Sequence, residues 1–350
     1  MFILVAAALL QLIPTAAEDP YRAPQLATSP SLVALAFGSG TTIYVATSAD
    51  QGTTFSAPVR VAESGVLPLG RHRGPRIVFS KGAMVVTAVA GSKEQSGPHA
   101  HGLPLDGDLF AWRSVDGGKS WSKGVRINDV PSAAREGLHA LASDGRGNLA
   151  AVWLDLRKEG TQLYGAFSRD SGKTWSANQL LYKSPDNTIC QCCHPSAAYS
   201  EDGTLAVMWR NDVGGSRDQY LMQSRAGKLT EPVKLGDGTW KINACPMDGG
   251  GLARDGSRIV TAWRREGDIF MAEPGKPEIK LGEGKDVAIA ASQPHVFVVW
   301  ITKGELQLWR DGKTETLADI ASMPNISALV GGGAVVAWEQ DRGISVRRLP

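Results

Sequence analysis

Short apolar runs recur along the chain, each followed by polar residues and then by a second apolar stretch. They are Leu32–Phe37, Met84–Val89, Leu149–Trp153, Leu205–Trp209, Ile259–Trp263, Val296–Trp300 and Ala334–Trp338. Their near-continuous apolar character suits strands covered on both faces. Seven units of about 48 residues match blades of four antiparallel strands. The pattern therefore predicts an all-β, seven-bladed β-propeller, with a six-bladed ring carrying one atypical unit as the alternative. The last unit lacks an obvious fourth strand after Ile344–Arg347. Residues just after an N-terminal leader are expected to supply it and close the ring.

That leader is read from residues 1–17. MFILVAAALLQLI is too short to span a bilayer, and small residues at Thr15, Ala16 and Ala17 precede Glu18-Asp19-Pro20. Residues 18–350 then form a single propeller domain, secreted or periplasmic, with no stable membrane insertion. Composition narrows the partners. With 37 basic against 35 acidic residues the net charge is +2, too small an excess for a general nucleic-acid binder. A 43% hydrophobic content excludes long disorder, and 40 glycines with 10 tryptophans fit many short strands and turns.

Three turns share the spacing S-x-D-x-G-x-[ST]-[FW]: Ser48–Phe55, Ser114–Trp121 and Ser168–Trp175. The Asp can accept from amides of its own turn, the Gly permits positive φ, and the aromatic ring plugs the sheet. Ser224-Arg225-Ala226-Gly227 reads as a decayed copy. Tyr44, Phe110, Tyr164 and Tyr220 each precede one of these serines by four residues, so they share one strand position and read as packing between blades. On these motifs the chain resembles the sialidase (neuraminidase) superfamily, whose Asp-box or BNR-repeat propellers carry such turns as structure.

Propeller geometry puts the Asp turns on one face and the links between blades, with the second-to-third-strand turns, on the other. The latter face gathers the unusual polar residues. They include Arg71-His72-Arg73 and Arg76, Arg135-Glu136 and His139, and Asp155 and Arg157. Arg210, Arg264 and Asp248 complete the group. A funnel lined with Arg and carboxylates suits an anionic ligand. The resemblance implies an arginine cluster for a substrate carboxylate. Arg76, in Gly-Pro-Arg-Ile, is similar to the family's Arg-Ile-Pro, with Arg157, Arg210, Arg264 and His139 as further binding candidates. Asp155, Glu136 and Asp248 are the candidate catalytic carboxylates. No tyrosine lies in the C-terminal third, where the family places its nucleophile.

Cys190-x-Cys192-Cys193-His194 and Cys245 form the other concentration of chemistry. Cys192 and Cys245 fall ten residues before Asp202 and Asp255, at matched positions of adjacent blades. Exported cysteines are usually bridged, so a disulfide from Cys245 to Cys192 or Cys193 is expected. The alternative is a soft-metal site, copper or zinc, using Cys190, Cys192, Cys193, Cys245 and His194, with His139 and Met247 nearby. His99 and His101 read as an exposed loop. Three functions follow: a secreted glycoside hydrolase acting on sialic acid or another acidic glycan, a non-catalytic propeller binding glycan or protein, and a metal-binding propeller. No cofactor is expected for the first.

Overall fold

The computed structural model describes residues 9–97, 102–225, 227–256 and 258–350. His99 and His101 lie outside them, as does Ala226 of the decayed turn. Seven antiparallel sheets follow one another along the chain. No helix occurs among the described residues. Each sheet is a blade whose strands run A to D outward.

The A strands are Tyr21–Thr28, Arg76–Ser80, His139–Ser143, Ser196–Tyr199, Gly251–Asp255, Lys285–Ser292 and Ser322–Ala328. Each packs against the next, and the seventh returns to the first, so the ring is closed. The apolar runs predicted from sequence are the B strands, from Val33–Ser39 in blade 1 to Ala334–Gln340 in blade 7. Trp153, Trp209, Trp300 and Trp338 are almost wholly buried there. The repeated aromatic position is also observed. Phe37 faces Tyr44, Ala88 faces Phe110, Trp153 faces Tyr164 and Trp209 faces Tyr220, all on the same rung between strands B and C.

Blade 7 closes differently from the expectation. Its fourth strand is Leu10–Leu12, paired antiparallel with Ile344–Val346. The residues that complete the ring therefore lie inside the segment read as a leader, not after it.

The three Asp turns connect strands C and D. In the first, Ser48 Oγ donates to Asp50 Oδ1 at 2.7 Å and accepts from the Gly52 amide at 2.8 Å. The Thr54 amide and hydroxyl donate to the same carboxylate at 2.9 and 2.6 Å. Asp116 and Asp170 repeat the pattern. The Thr54 hydrogen bonds, with those from Ser48 and Thr53, hold the Asp50 pKa down at about 2. Gly52 has φ 88°, and a Cβ there would lie 2.8 Å from Val335 of blade 7. The turn thus needs glycine both for its backbone and for close approach to the neighbouring blade.

Candidate functional site

The inner strands surround an axial cavity of about 420 Å³ whose wall includes His72, Arg76, His194, Gly250, Gln25 and Asn325. The face opposite the Asp turns contributes the first four. Arg76 opens strand A of blade 2. Its guanidinium donates to Pro75 O at 2.9 Å and His72 O at 2.5 Å. Among the described residues no carboxylate pairs with it, and burial lowers its pKa to about 10. A partly buried guanidinium facing a cavity without a counter-charge can take an anion.

His72 stands beside it. Its Nε2 lies 3.0 Å from Asp286 Oδ1, and its ring stacks on His194 with centroids 4.4 Å apart. Burial opposes ionisation of Asp286, but the hydrogen bond and charge of His72, with Lys285 and Arg264, hold its pKa below the usual range. His194 is fixed as a neutral ring. Nδ1 accepts from the Gly249 amide at 3.3 Å and Nε2 donates to Gly250 O at 3.0 Å. Burial first, then His72 and Arg76, push its pKa well down. The fit depends on Gly249, because a Cβ there would collide with the His194 carbonyl oxygen.

Asp248 is buried beneath this pair. Its carboxylate accepts from the Asp286 amide at 2.8 Å and the Gly250 amide at 3.3 Å. Donor atoms of His72, Asp248 and Asp286 all lie within 4.8 Å of one another, a spacing that would accommodate a cation. Hydrogen bonds already employ His72 Nε2, Asp286 Oδ1 and both Asp248 oxygens. His72, Met247 and Asp286 have φ of 63°, 59° and 57°, left-handed values that cost a non-glycine residue about 1–3 kcal/mol.

The other sequence candidates are placed elsewhere. Arg210 is 1% exposed and donates to Asp248 O, Arg217 O and Arg264 O at 3.1, 2.6 and 2.8 Å. Arg210 and Arg264 lie 5.3 and 5.5 Å from the Trp240 ring, at the junction of blades 4 and 5. Arg264 donates to Glu266 O. Arg76, Arg210 and Arg264 therefore do not converge in the axial cavity. In blade 3, Arg157 donates to both oxygens of Asp155 at 2.8 and 2.9 Å and to Asp129 at 2.9 Å, over the Tyr164 ring. Asp155 also accepts from Trp153 Nε1 and is 1% exposed. Glu136 is spanned by Arg73, through its carbonyl at 2.6 Å and its carboxylate at 3.4 Å. His139 is wholly buried and contacts Thr87 Oγ1 at 3.0 Å, and burial, then Arg76, drives its pKa to about 3.

The cysteines also depart from the expected bridge. All four are free, and Cys245 is exposed. Cys190, Cys192 and Cys193 are buried together, with Sγ–Sγ distances of 3.2 to 3.9 Å. His194 turns its ring to the backbone of Gly249 and Gly250.

Asp286 is absent from the sequence candidates, and His72 stands there only as part of a basic run. A signal for Asp286 exists. The A strands of blades 1, 6 and 7 share a bulge with a left-handed residue, at Ala23, Asp286 and Met323. Blade 6 places a carboxylate where the others place apolar groups.

A family model described as a BNR repeat-like domain matches residues 28–191. No curated protein matches the chain. Among solved structures, a polysaccharide lyase of family PL25, an ulvan lyase, aligns at 13% identity with a TM-score of 0.58, covering 97% of this chain and 96% of that one. The Penicillium chrysogenum α-L-arabinanase aligns at 12% identity and TM-score 0.56, covering 97% and 98%. The Hadza microbial sialidase Hz136 aligns at 13% identity and TM-score 0.53, covering 92% and 74%. At such identities the likeness is one of fold.

Proposed function

We propose that this chain, a BNR-repeat β-propeller of the type on which sialidases are built, binds an acidic saccharide at its axial mouth. Arg76 takes the sugar carboxylate. The observation that carries the reading is the Arg76 guanidinium, set on the cavity wall without a carboxylate partner beside the His72–Asp286 pair. A histidine oriented by a carboxylate is a general base, and a guanidinium on the adjacent carboxylate stabilises charge as a proton leaves. That pairing supports β-elimination on a uronate. His72 removes the proton beside the carboxylate, the C–H electrons form a carbon–carbon double bond, and the glycosidic oxygen leaves with its bonding pair and takes up a proton. Hydrolysis is less well supported. Its two carboxylates flank the scissile bond, whereas Asp248 and Asp286 lie together beneath His72.

The test is to incubate the purified chain with uronate polysaccharides, sialosides and neutral arabinan, scoring binding by calorimetry and products by absorbance of the unsaturated sugar. Arg76→Ala is expected to weaken uronate binding roughly ten- to hundredfold. His72→Gln is expected to retain binding and lose the unsaturated product. Binding indifferent to Arg76→Ala removes the reading, and saturated products from a sialoside replace elimination with hydrolysis.

We further propose export of the chain with cleavage near Ala17, on the N-terminal apolar run and small residues alone. Cleavage would remove Leu10–Leu12 from blade 7. N-terminal sequencing of exported protein decides this: a start at Glu18 supports it, and an intact Leu10–Leu12 segment contradicts it.

A further inference from the structure

We propose that Cys190, Cys192 and Cys193 form a binding site for one copper(I) ion, with the Met247 thioether as a fourth soft donor. The site does not rest on the saccharide reading, and its ligands Cys193 and Met247 are the chain neighbours of His194 and Asp248 at the axial mouth. The three cysteines sit in the link from blade 3 to blade 4 and are 0%, 8% and 1% exposed. Their sulfurs are 3.2, 3.6 and 3.9 Å apart. A disulfide would need about 2.05 Å. Three thiolates around one ion at about 2.3 Å would be separated by roughly 3.8 Å, close to what is found. Met247 packs against the trio from the link into blade 5, in a left-handed conformation at φ 59°.

Charge supplies the second argument. Arg210 is almost fully buried, yet its guanidinium donates to three backbone carbonyls and, among the described residues, pairs with no carboxylate. A buried cation of this kind requires a nearby anion. The thiol cluster lies beside this cation and could provide one, and Arg217 borders the same cluster, its buried Nε without a partner among the described residues. Copper(I) with three thiolates carries two negative charges beside Arg210, which among the described residues has no carboxylate partner, and Arg217, which also pairs with Asp212 at 3.1 Å. Sulfur donors without imidazole or carboxylate favour copper(I) over harder ions. His194, Cys245 and His139 are not part of the set. The first turns to the backbone, the second is exposed, and the third contacts Thr87.

The test uses the full chain, reduced and anaerobic, titrated with copper(I) against a chromophoric chelator. X-ray absorption reads the ligands of the bound metal. The expected result is one ion per chain with a sulfur-only shell. Cys193→Ser should lower affinity by more than the roughly 10–100-fold cost of altering outer-shell groups. Cys245→Ser should leave it unchanged, and Met247→Leu should weaken it less than loss of a thiolate. Circular dichroism checks that each variant is folded, and the wild-type stoichiometry stands whether or not they are. Wild-type protein that takes up no more copper(I) than a Cys190→Ser/Cys192→Ser/Cys193→Ser variant overturns the proposal. So does a preference for zinc in direct competition, or a disulfide within the trio of freshly isolated protein.

Discussion

The blade 3 rim and the axial mouth are built from the same residue types and use them in opposite ways. At the rim Arg157 is clasped by Asp155 and Asp129, and Asp155 is further held by Trp153. Every charge there has a counter-charge, so the group stabilises the join between blades and has little left for a ligand. At the mouth Arg76 has only carbonyls, and His72 has one carboxylate at one nitrogen. Of these two arginines, Arg76 is the one left without a counter-charge among the described residues.

The largest effect that would separate the two regions is on stability. Arg157→Ala leaves Asp155 buried with fewer partners and should cost about 3–5 kcal/mol in urea unfolding, nearer the lower figure because Trp153 remains. Saccharide binding should be unaffected. Arg76→Ala should do the reverse, leaving stability nearly unchanged while binding falls. A rim substitution that abolished binding would break the contrast.

On the Asp-turn face, Gly52→Ala should destabilise by about 1–3 kcal/mol through strain at φ 88° and the approach to Val335, again without touching binding. A further effect is one of pH. His139 titrates at about 3 in the folded chain, against an ordinary histidine value of 6.5. Its depressed pKa means the unfolded chain binds the proton first. The contribution is therefore full above about 6.5 and is lost as pH falls toward 3, at up to about 1.4 kcal/mol per unit. Urea unfolding at pH 7 and 5 should show His139→Gln less acid-sensitive than the wild type. Equal slopes would contradict the buried neutral imidazole.

The ring was legible because a strand covered on both faces must be apolar throughout, and five of the seven such runs end in Trp. The Asp turns were legible because their hydrogen bonds stay within four residues. The site was legible only as a face. Arg157 has a local partner in Asp155, but Asp129 for Arg157 and Arg264 O for Arg210 lie tens of residues distant. Asp286 faces His72 across 214 positions, which no local spacing encodes. The cysteines were visible as a cluster. Their separation from Cys245 depends on how the two links enter the ring.

A crystal structure of the chain with a bound uronate oligosaccharide tests the axial mouth without intermediary. The carboxylate is expected on the Arg76 guanidinium, with the adjacent C–H facing His72. A carboxylate held at the Arg157 rim, or a saccharide seated away from the axial mouth, would contradict it.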